Sequence, residues 1–512
     1  MTNPGAAMRM LITYAICIPL AVAVGYLLAN QMDYGSLGFL GLVAALILAP
    51  VFIKWHYPIM VFGLGFPAMF FFLKGNPPCW QIVVLLSLGL AIVERAMSSE
   101  QRFLKAPSMT WALLFTAGMA VITMQLTGGF ALQQLGGDAG GGKKYITLFL
   151  GIATFFALIS RGIPPERRNL YIGLFFISPA FGFIGDLFPF LPSPFNYINL
   201  MFPPTGDVGG NDISSIGTVL KRFGGLSVSA TAIMFFLLAR YGLRGILSGA
   251  HPFRTLLFAL SLILSLVGGF RSILIGNIIL LITLFFIEGL HRTRWMVVMM
   301  VFTLMFGCLV VPFSRQLPMT FQRAMSFLPL DVDPEARANA EASTEWRLRI
   351  WRAVWPQVPS YLLLGKGYRL TSLDFESMGV NSAFGGAAAV DASQEGLAIS
   401  NDFHSGPLST LICFGLWGAV GMLAIMLAGL RIVYRNFKYG DPELRNVNAM
   451  LLASHVHHVL YYFFIFGAFE SDVAGFAQTV GFSVALNWGV CGPKSEPAVM
   501  QRIKPLAEPQ PA

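Results

Sequence analysis

The chain is a series of apolar runs, each close to the thickness of a bilayer, separated by short polar turns. A hydrocarbon core about 30 Å thick takes roughly 20 helical residues to cross. On that scale spans are expected near 11–29, 36–53, 57–73, 79–93, 109–126, 145–160, 169–186, 225–241, 254–270, 272–290, 295–313, 406–430, 448–468 and 473–490. That makes fourteen, or twelve to thirteen where close neighbours count as one. All should be helices, because lipid offers a bare backbone no hydrogen-bond partner. Charged residues are 12% of the chain, against about 25% in soluble domains. A disordered chain, a coiled coil and a soluble enzyme with an ordinary solvent face are excluded. The expected fold class is an all-α polytopic membrane protein with about 12–14 transmembrane helices.

Charge sets the expected orientation. With the N-terminus inside, twenty of the 34 Lys and Arg fall in inside segments, and seventeen of the 25 acidic residues fall outside. Eight of the fourteen outside cations lie in one long loop, where charge does not vote on topology. Both termini are therefore expected in the cytoplasm. The net charge of +9 reflects cytoplasmic loops and membrane lipids, not a nucleic-acid partner. The expected organisation is helices 1–11 over residues 1–311, with an extra outer loop at 187–224. A large outer loop follows at 312–405, then helices 12–14 over 406–490 and a disordered cytoplasmic tail at 491–512. The first apolar run, near 11–28, is full span length and is read as a span, not a cleaved signal.

The long loop carries most of the polar chemistry. Trp346, Ile350, Trp351, Val354 and Trp355 recur at helical spacing, predicting a short amphipathic helix over Glu345–Ser360 against the outer membrane-facing surface of the bundle. Leu364–Tyr368, with Gly365 and Gly367, reads as a turn, and Gly379–Ile399 as a mobile Gly/Ala/Ser stretch.

Two patterns are set aside. Gly137–Lys144 imitates a phosphate-binding loop, but Lys144 stands where Ser or Thr must hold magnesium. His455, His457 and His458 imitate a metal cluster, yet the last two are adjacent and point to different helix sides. The five cysteines (17, 79, 308, 413 and 491) form no zinc or disulfide pattern. No metal and no cofactor are expected.

Three features need explanation. Arg271 follows Gly268-Gly269-Phe270 between two apolar runs, at or below the outer headgroup level. A guanidinium there either serves a function or snorkels from a helix end. Arg347, Arg349 and Arg352 share the predicted loop helix, and their rigid donor forks suit phosphate oxygens or anionic headgroups. His404, in Asn401-Asp402-Phe403-His404-Ser405-Gly406, stands at the mouth of a span. Its imidazole could take a proton from a sugar hydroxyl, with Asp402 orienting it or capping the helix, or it could be structural.

Together these residues resemble the bacterial O-antigen ligase and polymerase superfamily of integral membrane glycosyltransferases, over roughly Leu260–Val420. The carrying motifs are Phe270-Arg271-Ser272 at a span's outer end, then Arg347, Trp351, Pro359, Gly365 and Gly367, then His404-Ser405 with Gly415 and Gly418. Two positions depart from the family pattern. Phe270 replaces the Ser before the first Arg, and Ser405 replaces the Asn after the His.

The resemblance implies a GT-C-like bundle in the inner membrane, its active site facing the periplasm. The enzyme would be a metal-independent inverting glycosyltransferase with a glycan on undecaprenyl pyrophosphate as donor. The acceptor would be a lipid-linked glycan (a polymerase, slightly favoured by the Gly/Ala-rich stretch) or the lipid A core (a ligase). Polysaccharide assembly proteins would be further partners. His404, Arg271 and Arg347 would be catalytic; Arg349, Arg352, Trp351 and Asp402 would bind substrate. The alternative is a transporter or flippase for lipid-linked oligosaccharides, which would more often show internal symmetry.

Overall fold

The computed structural model describes residues 34–73, 75–97, 102–128, 141–187, 197–205, 222–369 and 403–493, with scattered positions between 19 and 26 and between 190 and 195. The expected first span, Asp402 and the 379–399 stretch lie largely or wholly outside the described residues. Among the described residues there is no strand, only an isolated antiparallel bridge between Met69 and Pro78. The principal helices are α1 (Tyr34–Gly63), α2 (Cys79–Met97), α3 (Pro107–Thr127), α4 (Gly141–Leu158), α5 (Arg168–Ile177), α6 (Gly224–Leu247), α7 (Pro252–Leu264), α8 (Arg271–Ile287) and α9 (Trp295–Phe313). They continue with α10 (Met319–Met325), α11 (Pro334–Val354), α12 (Gly406–Tyr439), α13 (Arg445–Phe464) and α14 (Phe469–Leu486).

Six of the described helical segments are long and apolar enough to cross a membrane: Cys79–Met97, Pro107–Thr127, Pro165–Leu187, Gly224–Leu247, Trp295–Gln316 and Gly406–Tyr439. Pro252–Leu264 and Arg271–Ile287 are shorter apolar helices. The chain is an all-α polytopic membrane protein. The expected spans 36–53 and 57–73 meet inside α1, which breaks at Trp55 and contains Pro58, a residue with no N–H to give the helix ladder. The second of them is corrected: its helix stops at Gly63, and the chain then turns through the Met69–Pro78 bridge. A Cβ built at Gly41 would lie 3.3 Å from the Phe72 ring, so the chain has folded back beside the first arm of α1.

Helix α14 is the centre of the bundle, with Phe469, Phe476, Val480, Phe482 and Val484 fully buried. Lipid is as apolar as a leucine, so helices in a bilayer associate by close packing of small residues and by hydrogen bonds. Gly151 of α4 shows this, since a Cβ there would sit 2.8 Å from the Cβ of Ala474. The outward face of α12 is left bare at Leu416, Trp417, Val420, Leu423 and Leu427.

Polar groups gather at the two ends of the bundle. At one end Glu94 pairs with Arg161 and faces His56, and Arg168 pairs with Asp441 at 2.6 Å. The backbone N–H of Glu443, then Arg168, hold the Asp441 carboxyl below its ordinary value. Here too the Glu288 carboxylate accepts from the N–H groups of Leu243 and Arg244, satisfying the backbone where α6 breaks at Gly242. At the other end Lys144 pairs with Glu470 at 3.0 Å, and the Tyr368 hydroxyl donates to the same carboxylate at 2.8 Å.

The Gly365–Tyr368 turn is buried, and it plugs a break in α12. Gly415 has φ +60°, which ends the first two and a half turns of that helix and frees the carbonyls before it. The N–H groups of Lys366 and Gly367 donate to Ile412 and Cys413 at 2.9 and 2.8 Å, and Leu416 N–H donates to Leu362 at 2.7 Å. Gly365 and Gly367 both take positive φ to make this approach. A Cβ on Gly415 would meet the Leu362 carbonyl oxygen at 2.6 Å on top of an unfavourable backbone conformation. Gly415→Ala should therefore lower stability by about 2–4 kcal/mol, read as a lower thermal midpoint in detergent, whereas Gly118→Ala, with open space around its Cβ, should leave the midpoint within a degree or two.

Candidate functional site

The long loop does not hold a short helix over 345–360. Helix α11 starts eleven residues earlier, at Pro334. The Asp333 side chain caps it by accepting from Glu335 N–H at 2.8 Å, and proline fits the first turn. The Ala-rich stretch that follows propagates the helix without help from an apolar face. After Val354 the chain continues as single turns, Trp355–Gln357 and Val358–Tyr361. The apolar side also turns out to face protein. Val354, with Ile350 and Trp351, packs on Phe403, Leu408 and Ile412 at the start of α12. Trp355 points away, 65% exposed.

Arg271 is the first residue of α8, and its Nη2 donates to Thr344 Oγ1 of α11 at 2.9 Å. Arg347 lies three residues further along α11, about 4.5 Å of helix rise. The two guanidiniums are close enough to repel each other. Trp346, the neighbour of Arg347, stands edge-on to the His404 ring with centroids 5.0 Å apart. Phe466 closes the other side of the imidazole at 4.7 Å, also edge-on. Helix α11 thus brings Arg271, Arg347 and His404 to one end of the bundle, the end that carries the Lys144–Glu470 pair.

Arg349 and Arg352 are not brought to that place. At 100° per residue they stand on other faces of α11 from Arg347, and both are exposed. Arg352 lines a shallow apolar groove with Leu348, Trp351, Trp355 and Pro356. Trp351 also differs from a free stacking platform, because its indole N–H donates to the Phe403 carbonyl at 2.8 Å.

Several residues were invisible to the sequence reading. Arg323 of α10 is buried; it donates to the Gly269 carbonyl and, at 2.5 Å, to Asn339 Oδ1. Arg222 donates to the Gly268 carbonyl at 3.1 Å and stands 4.2 Å over the Phe270 ring. Two more guanidiniums therefore hold the carbonyls of the turn that presents Arg271. Tyr461 of α13 lies beside Ser272 and within the field of Arg347. Charge at a span end was the available signal for Arg222. For Arg323 there was none, since a buried and an exposed arginine in a loop helix read alike.

The three histidines of α13 go separate ways. His455 faces the Met426 carbonyl at 2.9 Å, and His458 faces Asp472 at 2.7 Å and stacks on Phe476. His457 lies against Tyr461 and Gly276. Among the described residues no group of three His, Cys, Asp or Glu sits together. Gly141–Lys144 of the pseudo phosphate loop is the first turn of α4, and Lys144 is held by Glu470.

Fold and site define a multi-pass membrane protein whose polar end is organised by arginines around one histidine. Residues 256–423, which include Arg271, Arg347 and His404, match a family model described as O-antigen ligase. The match covers about a third of the chain, the part that carries the three motif residues, and is a similarity to that family over this region. A comparison with curated proteins gives no match.

Removing Arg323 would leave the Gly269 carbonyl and Asn339 without a buried, charged donor. Arg323→Met should lower stability by about 2–4 kcal/mol, and in a thermal-shift series the loss should exceed that of the exposed Arg349→Met severalfold.

Proposed function

We propose that this protein is an inner-membrane glycosyltransferase that moves a glycan from undecaprenyl pyrophosphate to an acceptor sugar hydroxyl at the periplasmic face. The observation that carries the reading is the placement of Arg271, Arg347 and His404 along one short stretch of α11. Two like charges held near one another in a half-buried setting favour an anionic ligand, which relieves their repulsion. A pyrophosphate supplies the matching charge and the oxygens that guanidinium forks grip well.

The chemistry follows from those groups. The acceptor oxygen attacks the anomeric carbon on the face opposite the pyrophosphate, so the new C–O bond forms as the glycosyl C–O bond to phosphate breaks and the configuration inverts. The electron pair leaves with polyprenyl pyrophosphate, and Arg271 and Arg347 stabilise the charge that develops there. The acceptor's proton passes to the His404 imidazole. Pyrophosphate is a good leaving group, so charge stabilisation by arginine suffices without a divalent ion. Lipid-linked glycan serves as acceptor in a polymerase and the lipid A core in a ligase.

Orientation rests on charge. The opposite end of the bundle carries Arg95, Arg161, Arg167, Arg168, Arg244 and Arg435, which by the positive-inside rule faces the cytoplasm together with both termini. Arg349 and Arg352, with Trp355 between headgroup and loop, meet membrane lipid and not the reacting phosphates.

Transfer from a lipid-linked glycan, assayed in nanodiscs with either acceptor, tests the reading. Arg271→Ala, Arg347→Ala and His404→Ala should each reduce the rate about 100-fold or more, with Arg349→Ala within threefold of wild type. Wild-type rates for the first three would sink it, and a wild-type protein that transfers to neither acceptor while moving the lipid-linked glycan across the bilayer would favour a flippase.

A further inference from the structure

We infer that Trp351 is the positioning residue for His404, locking the donor-side arginine and the acceptor-side imidazole into one rigid unit; this rests on the transferase reading above. His404 has φ +51°, the left-handed region that a side chain with a Cβ rarely occupies. Such a conformation persists only where neighbours over-determine it. Its immediate neighbour on the chain, Phe403, is 3% exposed and is fixed twice over. The ring is packed in the apolar cluster with Val354, Leu408 and Ile412, and the carbonyl accepts the Trp351 indole N–H at 2.8 Å. Beyond His404 the chain is fixed again, since Gly406 lies against the Tyr462 ring and the Gly467 backbone. The imidazole then has one slot, between the edges of Trp346 and Phe466.

Trp351 is four residues from Arg347, so both project from the same side of α11. One turn of helix therefore carries the guanidinium assigned to the phosphates and the indole that sets the histidine backbone. The distance between leaving group and acceptor hydroxyl is written into that turn. A ring without the N–H would still fill the packing position, but the Phe403 carbonyl would lose its partner and His404 could relax toward an ordinary backbone conformation. Misplacing a reacting group by about 1 Å can cost two orders of magnitude in rate.

The test is Trp351→Phe in nanodiscs, with kcat and the donor KM measured separately, alongside His404→Ala and a thermal midpoint for each. The expected result is a kcat lower by about 10- to 100-fold, with donor KM within twofold and a midpoint close to wild type. Trp351→His, which restores a ring N–H on that side, should recover part of the kcat. A wild-type kcat for Trp351→Phe beside an inactive His404→Ala overturns the inference and spares the reading beneath it. A rise in donor KM with kcat unchanged would instead make Trp351 a sugar platform, and a parallel collapse of midpoint and rate would make it packing alone. Full activity in His404→Ala would overturn both.

Discussion

Backbone amides have nowhere to turn inside a bilayer, so every interruption of a spanning helix must be repaired by another part of the same chain. This protein breaks α12 at Gly415 and repairs it with the Gly365–Tyr368 turn, whose N–H groups take the freed carbonyls of Ile412 and Cys413. The repair does more than satisfy hydrogen bonds. It pins the middle of the long loop to the interior of the bundle, with the Tyr368 hydroxyl on Glu470 as a second fastening. Helix α11, lying between that anchor and the α9–α10 segment, is then stretched across the mouth of α12. The position of Arg347 over Arg271 and of Trp346 over His404 follows from where the break lies.

The same reasoning explains why arginines can be assembled so densely at one place. The carbonyls of Gly268 and Gly269 are exposed by a turn that ends α7 and cannot find partners in lipid. Arg222 and Arg323 satisfy them. Their charge is then already committed to backbone dipoles, while Arg271 donates to a threonine hydroxyl at the rim. Two guanidiniums thus support the turn from below, and Arg271 stands on top of it.

Sequence gave the serial helices and their order well, because each apolar run has one stable solution in lipid. It also singled out Arg271, Arg347 and His404 as candidates, through the order of three short motifs and not through any one of them, and the fold brings these three to one end of the bundle. What it could not reach was the direction of side chains. Arg349 and Arg352 carry the same charge as Arg347 two and five residues away, and only the phase of α11 separates them. The start of that helix at Pro334 was hidden because Ala, Arg and Asn in alternation show no apolar period, even though the Asp333-Pro334-Glu335 start signal was present. The Gly365 turn was legible as a turn, but nothing in it announced that the turn would be buried in a broken helix.

The two positions that depart from the motifs of the family this chain resembles have their own physical setting. Phe270 stands where a small hydroxyl is usual, and its ring carries the Arg222 guanidinium at 4.2 Å. A cation over an aromatic face in a desolvated setting contributes about 2 kcal/mol, so the ring helps to keep a second arginine on the turn. Ser405 stands where Asn is usual, and as the residue before α12 it makes no side-chain capping bond. The backbone before the histidine is held from outside, by the Trp351 indole on the preceding carbonyl.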